Sequence, residues 1–249
     1  MGAVRPSQQG ERPRGLTIAI AGNPNCGKSA LFNALTGIRQ KTGNWPGVTV
    51  ERKEGRSRVD GRDVTVVDLP GIYSFDAASL DERVTRDYLL SRDADLVINV
   101  VDASNLERNL YFTVQLLEMG VPLVIALNMM DVARKRGVAV DAGVLAARLG
   151  CPVVPIVATT QEGMSELKAR TLAVADNRQT SGFPLALDEA VEQALLRLEP
   201  LLTDSPEANR RWLALKLLEG DDEGAPTAQT AAAVARVRHW VSERFGKDL

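Results

Sequence analysis

A single histidine, His239, and two cysteines, Cys26 and Cys151, are the whole supply of imidazole and thiol in this chain. One histidine excludes any site built on several imidazole ligands. Two cysteines cannot staple a disulfide scaffold, and such sparse use reads as cytosolic or reducing-side. No run of about 18 uninterrupted apolar residues occurs, so the sequence does not cross a bilayer. Met1 to Arg14 lack the apolar stretch of a signal peptide and read as an N-terminal extension, residues 1–14, outside the fold. Neither sign of charge is in excess. Thirty Lys and Arg stand against 32 Asp and Glu, a net charge of −2, which argues against a nucleic-acid binder that works mainly by electrostatics.

What is present suits a folded protein. Apolar residues make up 45% and charged residues 25%, unlike a disordered chain. A length of 249 residues allows one large domain, or a medium one with a small companion. Leu16–Ala21 is short and apolar, as a strand covered on both faces should be. Ala30–Leu35 has a helical pattern stopped by Thr36-Gly37. Arg39–Pro46 is polar and reads as a loop. Val48–Glu54 and Arg56–Val59 alternate in part and, with a turn at Gly61-Arg62, suggest a hairpin into Val64–Asp68. Buried strands are expected at Leu96–Asp102, Val121–Leu127 and Cys151–Val157. Helices are expected at Leu106–Met119, at Asp141–Leu149 before Gly150, and through Leu167 to about residue 173. Alternating strands and helices give an α/β fold with a mixed, mainly parallel central sheet. Past Phe183 no strand is evident. Leu187–Leu201, Asn209–Leu218 and the Ala-rich Thr227–Phe245 read as helices. The expected organisation is a larger domain over 15–176 and a small all-helical domain over 177–249, with Asn177–Gly182 as linker.

The chemistry is concentrated at Gly22-Asn23-Pro24-Asn25-Cys26-Gly27-Lys28-Ser29, between a strand and a helix. This is a complete phosphate-binding loop. Glycines let the backbone wrap phosphate oxygens without side-chain clash, and the amides and helix N-terminus supply donors and a favourable dipole. Lys28 reaches the β and γ phosphates, and the Ser29 hydroxyl ligates Mg²⁺. Asp68 closes a strand within Asp68-Leu69-Pro70-Gly71, where an acid can hold the same ion. The Gly71 amide is placed to sense the γ phosphate. Asn128-Met129-Met130-Asp131 follows another strand. A carboxylate at Asp131 accepts two hydrogen bonds from guanine, a donor pair adenine lacks. Asn128 would brace the base pocket against the phosphate loop, although Asn-x-x-Asp is by itself also a helix-cap arrangement.

These pieces, in this order, resemble a translation-factor-related P-loop GTPase domain. Thr42-Gly43-Asn44-Trp45-Pro46-Gly47-Val48-Thr49-Val50-Glu51 narrows the resemblance to the first switch of the FeoB family of bacterial ferrous iron transporters. The phosphate loop and Asp68-Leu69-Pro70-Gly71-Ile72-Tyr73-Ser74 are similar to that family as well. The resemblance covers residues 16 to about 170 by motif, and the helical tail only by type and length. It implies a GTP-binding and GTP-hydrolysing regulatory domain, a helical domain that slows GDP release, and a membrane permease domain of the same full-length protein as partner. This chain would be the cytoplasmic portion of a protein of the bacterial inner membrane. Homo-oligomer formation is left open, and nucleic acid is not expected as a partner.

The resemblance also assigns roles. Thr49 is implied as the switch threonine that completes the Mg²⁺ shell with Ser29 and Asp68. Lys28, Thr49 and Gly71 are the implied catalytic set. Asn25, with backbone carbonyls of Asn44 and Trp45, is implied as a ligand of K⁺. Guanine nucleotide, GTP or GDP, would further touch Asn23, Cys26, Gly27, Ala30, Gly47, Val48, Asn128, Met129, Asp131, Val157, Ala158 and Thr159. Ile72 stands where Ras-like enzymes carry a glutamine that orients water. Isoleucine has no donor or acceptor, so hydrolysis should be slow. Val157 replaces the usual serine of the fifth guanine motif, a loss that could loosen the nucleotide.

Other conspicuous residues have plainer readings. Trp45 is either a mobile cover or partner contact, or a side chain packed on the core at rest. Cys26 reads as a small filler, Cys151 as core and His239 as a packing or surface residue. Asp221–Glu223 read as a solvated loop. Two rival functions remain: a ribosome-assembly or RNA-modification GTPase sharing the Asn25 pattern, and a nucleotide-sensing module with incidental hydrolysis.

Overall fold

The computed structural model describes residues 15–37, 40–75, 79–177, 187–203, 206–220 and 227–248. The N-terminal extension 1–14, the linker beyond Asn177 and the acidic run Asp221–Glu223 lie outside the described residues.

The first part alternates strands and helices. In chain order it runs β1 (Leu16–Gly22), α1 (Lys28–Thr36), β2 (Gln40–Asn44), β3 (Glu51–Val59), β4 (Arg62–Asp68), α2 (Leu80–Ser91), β5 (Leu96–Asp102), α3 (Leu106–Glu118), β6 (Leu123–Asn128), α4 (Met130–Lys135), α5 (Ala142–Leu149), β7 (Val153–Pro155) and α6 (Met164–Asn177). One seven-stranded sheet has the order β2-β3-β4-β1-β5-β6-β7. The β2–β3 and β3–β4 pairs are antiparallel, and the others are parallel. Parallel strands need covering on both faces. One face buries Leu31, Phe32 and Leu35 of α1 with Met164 and Leu167 of α6. The other buries Tyr88 and Leu89 of α2 with Phe112 and Leu116 of α3.

Some elements depart from the sequence expectation. Arg39–Pro46 is not wholly a loop, because Gln40–Asn44 forms edge strand β2 against Glu51–Gly55. All five β2 residues are exposed, so no apolar alternation marks it. Only hydrogen bonds to β3 define it. The last strand is shorter than Cys151–Val157, since Pro152 has no N–H to give to the ladder and Val157 pairs instead with Glu162. Two helices were not anticipated. Helix α2 is capped by Ser79 and Glu82 in a reciprocal capping box, a signal visible as Ser-x-x-Glu. Helix α4 is only one and a half turns, too short for periodicity.

Beyond α6 the described residues form helices α7 (Glu189–Leu198), α8 (Glu207–Glu219) and α9 (Ala228–Phe245). They share an apolar cluster of their own, including Leu195, Leu198, Leu217 and Val241. Helix α8 also reaches the sheet-containing part. Trp212 is 3% exposed and sits in the core there with Phe75 and Phe112. Asn209 receives Arg92 Nε at 2.9 Å and donates to the Leu90 carbonyl at 2.9 Å. Among the described residues, no helix is long and apolar enough to cross a membrane.

Candidate nucleotide site

The phosphate loop connects the C-terminal end of β1 to the N-terminus of α1. Its glycines answer to close approach. A Cβ on Gly22 would lie 2.5 Å from the Val100 carbonyl oxygen. A Cβ on Gly27, whose φ is +96°, would lie 2.2 Å from Asn128 Nδ2. Both are too short for any other residue. Asn25 is exposed in the left-handed region at φ +64°, a conformation asparagine tolerates. Lys28 Nζ donates to the carbonyls of Gly22 at 3.1 Å and Asn23 at 3.3 Å, which folds the ammonium over its own loop. Ser29 is exposed on the first turn of α1, with Ala30 half-buried behind it.

Cys26 is 2% exposed, and burial pushes its thiol above the ordinary range despite the nearby Lys28. Burial likewise pushes Cys151 up to about 12. Neither is a nucleophile at neutral pH. Asn23 is buried; its Nδ2 donates to the Arg108 carbonyl at 3.2 Å, and its Oδ1 has no partner among the described residues.

Asp68 ends β4, opposite Ile20 of β1 and Lys53 of β3. Its Oδ1 is buried without a hydrogen-bond partner. Burial raises this carboxyl above the usual carboxylate range, while Lys28 and Lys53 pull it down and Glu51 pushes it up. A buried carboxylate oxygen with nothing to accept from suits a cation. Together with the exposed Ser29 hydroxyl it makes an all-oxygen set that fits Mg²⁺. Gly71 lies against the same loop: a Cβ there would be 2.6 Å from Lys28 Nζ and 3.3 Å from Pro24. Ile72, by contrast, is 3% exposed and packed in the core.

Asn128 joins segments far apart in sequence. Its Nδ2 donates to the Cys26 carbonyl at 3.0 Å, and its Oδ1 accepts from the Ala158 N–H at 3.0 Å. Met129 is left-handed at φ +62° and reaches Gly27, its Cε 3.9 Å from the Cβ position there. Asp131 is half-buried on the first turn of α4. Val157 and Ala158 are buried and Thr159 is exposed. The Val157 carbonyl accepts from the Thr160 N–H at 3.1 Å and hydroxyl at 3.3 Å, which braces this loop without a serine at 157.

The structure thus gathers Lys28, Asp68 and Gly71 at one end of the site and Gly27, Asn128, Met129 and Ala158 at the other. Asn44 and Thr49 are exposed, Val48 is half-buried, and Gly47 turns the chain at φ +75°. Of the two readings of Trp45, the packed one holds here: it is 6% exposed and meets Tyr88 edge-on at 5.1 Å. Its carbonyl accepts from the Val48 N–H at 3.2 Å.

Two residues that hold the segment after Gly71 were not singled out by sequence. Gln115 Oε1 accepts from the Phe75 N–H at 2.9 Å, and the Arg108 guanidinium lies 3.9 Å from the Tyr73 ring centroid. Gln115 left a trace in the sequence, as a polar residue on the apolar face of α3.

The chain is similar to known proteins in both of its parts. Residues 16–171 match the family model for ferrous iron transport protein B, and residues 188–249 match that for the FeoB cytosolic helical domain. The chain is 48% identical over 239 residues to the Fe(2+) transporter FeoB of Shigella flexneri, covering 90% of this chain and 30% of that protein. It is 52% identical over 215 residues to the one of Salmonella typhi, covering 83% of this chain and 27% of that protein. It therefore spans less than a third of the curated relatives' length. Among solved structures, a GDP-bound mutant of S. thermophilus NFeoB has a TM-score of 0.84 at 40% identity, covering 94% of this chain and 91% of that one. The cytosolic domain of L. pneumophila FeoB has a TM-score of 0.76 at 37% identity, covering 91% of this chain and 97% of that one.

Proposed function

Because the chain belongs to the ferrous iron transport protein B family, we propose that it binds GTP, hydrolyses it slowly to GDP and phosphate, and passes its nucleotide state to the rest of a ferrous iron transporter. The observation that carries this reading is the meeting of Lys28, Gly71 and the unpaired Asp68 Oδ1 around one phosphate loop.

Water would attack the γ phosphate in line, displacing GDP. Lys28 and the loop amides would stabilise charge on the transferred group, and the Gly71 N–H would bond a γ oxygen. Magnesium, when bound, would draw charge off the β and γ oxygens. Ser29 and Asp68 would hold it, and Thr49 would join them in the GTP state. Potassium would offset charge developing during transfer. The Asn25 carboxamide and the carbonyls of Asn44 and Trp45 are hard, neutral donors suited to it. Guanine would lie against Met129 with its donors on Asp131 and its O6 sharing the Ala158 N–H with Asn128 Oδ1, while Asn128 Nδ2 stays on the Cys26 carbonyl. Asn23, Cys26, Gly27, Ala30, Gly47, Val48, Val157 and Thr159 complete the proposed lining. The departure of the γ phosphate would release Gly71 and Thr49, and α8 would feel that change through Phe75. The permease portion of the full-length protein, in the bacterial inner membrane, would be the recipient.

The deciding experiment is GTP hydrolysis in matched K⁺ and Na⁺ buffers with Mg²⁺, beside Asn25→Ala. Stimulation by K⁺ that disappears in the variant supports the whole reading. Hydrolysis indifferent to the cation removes potassium and leaves the GTPase. Nucleotide binding without single-turnover hydrolysis favours a sensor that acts by occupancy, a reading to which the buried Ile72 lends weight.

A further inference from the structure

The loop that carries Thr49 is pegged at its foot by one residue. The Trp45 N–H donates to the Val50 carbonyl at 2.9 Å, and the Trp45 carbonyl accepts from Val48, so both its peptide groups close the loop on itself. The indole packs edge-to-face on Tyr88 of α2, with ring centroids 5.1 Å apart. The Arg52 guanidinium covers it at 4.6 Å from the ring centroid. These contacts hold the loop where Thr49 is exposed.

The same cluster contains a cost. Trp45 Nε1 is buried and has no hydrogen-bond partner among the described residues, and neither has Arg52 Nε. A donor withdrawn from water and left unmet opposes the state that buries it. Tyr88 contributes an edge contact that favours that state. In Trp45, favourable ring packing and an unmet indole N–H therefore oppose each other in one side chain. When the loop leaves α2, water would satisfy both donors.

We infer that the Trp45 side chain is a positioning residue for Thr49, an anchor whose unmet indole N–H keeps the resting loop only weakly preferred. The inference rests on the reading of Thr49 as a group recruited in the GTP state. The energetic consequence is that a γ phosphate need supply only a small difference to bring Thr49 to the metal. Removing the N–H while keeping the ring should deepen the resting state. Removing the ring's partner should make it shallower.

The test replaces Trp45 site-specifically with β-(3-benzothienyl)alanine, in which sulfur stands for N–H in a ring of nearly the same shape. Trp212 and Trp240 remain. Affinities for GDP and for a non-hydrolysable GTP analogue are measured with Mg²⁺, and melting curves confirm that each variant folds. The analogue should bind about tenfold more weakly, the size of one unmet buried donor, with GDP changed less than about twofold. Tyr88→Leu should shift the same preference the other way, toward the analogue. Equal weakening of both nucleotides, or no change from the benzothienyl residue, overturns the inference, and that residue keeps it testable should Tyr88→Leu fail to fold. Thr49→Ala separates the two claims. If it leaves the preference for the analogue intact, the role of Thr49 fails. If it abolishes that preference while the benzothienyl residue leaves it untouched, only the role of Trp45 fails.

Discussion

Trp212 of α8 and Phe75, four residues past Gly71, meet edge-to-face with ring centroids 6.2 Å apart and planes at 83°. The contact joins the helical segment to the end of the segment that would sense the γ phosphate. Phe75 in turn stacks edge-on with Phe112 of α3 at 5.3 Å. One turn before Trp212, Asn209 grips the end of α2. Helix α8 therefore holds both ends of residues 75–92.

Trp212→Ala should cost roughly 3 kcal/mol, the loss expected for a large buried aromatic. Calorimetry should show the helical part melting ahead of the rest. GDP should also leave faster, as followed with a fluorescent GDP analogue. Unaltered release in a variant that has lost the stability would separate the helical segment from nucleotide retention.

Asn128→Ala removes two hydrogen bonds at once and leaves the Cys26 carbonyl and Ala158 N–H without that partner. GDP affinity should fall about hundredfold by titration calorimetry, since each unmet buried group costs on the order of 1–3 kcal/mol. Asp131→Asn should weaken GDP binding and favour xanthine nucleotide, whose carbonyl accepts where guanine donates. Retention of guanine preference would move the specificity away from Asp131.

Asp68 sets a pH dependence. Burial raises its pKa in the folded protein, so the native state holds this proton more tightly than the unfolded chain. Stability from this group is therefore present below the ordinary carboxylate pKa and is lost as pH rises through the elevated one. Asp68→Asn should raise the melting temperature of the nucleotide-free protein at neutral pH and erase this acid-side dependence. The same variant should lose the gain in GTP affinity that Mg²⁺ confers. A lower melting temperature would mean that the carboxylate is better satisfied than its unpaired oxygen implies.

Turnover by the wild-type chain should be at or below about one per minute, in the range of GTPases without a supplied catalytic group. Ile72→Gln should not accelerate it. Ile72 is packed with apolar residues, so a glutamine there buries an amide, at a cost of about 2 kcal/mol, rather than presenting it to water. A faster variant would show that position 72 turns toward the phosphate during hydrolysis.

How much was legible in the sequence varied with the range of the interactions. Leu96–Asp102 announced itself as a run of apolar residues, and the structure has β5 over the same residues. Helix α5 was bounded by Asp141 and Gly150, which do serve as its caps. Strand β2 was invisible because its polar residues owe their conformation to β3. The capping box of α2 is written locally, as Ser79 and Glu82 three residues apart. The place of Asn128 after a strand suggests a brace, but its two partners lie 102 and 30 residues away.

The sequence by itself determined the phosphate loop, because that loop works through its own contiguous backbone and needs glycine at particular steps. It also determined the alternation of strands and helices, which follows from local periodicity. Tertiary structure alone decided that Trp45 is packed rather than free, that Asp68 keeps an unpaired oxygen, and that Trp212 enters the core beside Phe75. Burial, unmet hydrogen bonds and aromatic contacts are properties of what surrounds a residue, and those surroundings come from segments that no local pattern brings together.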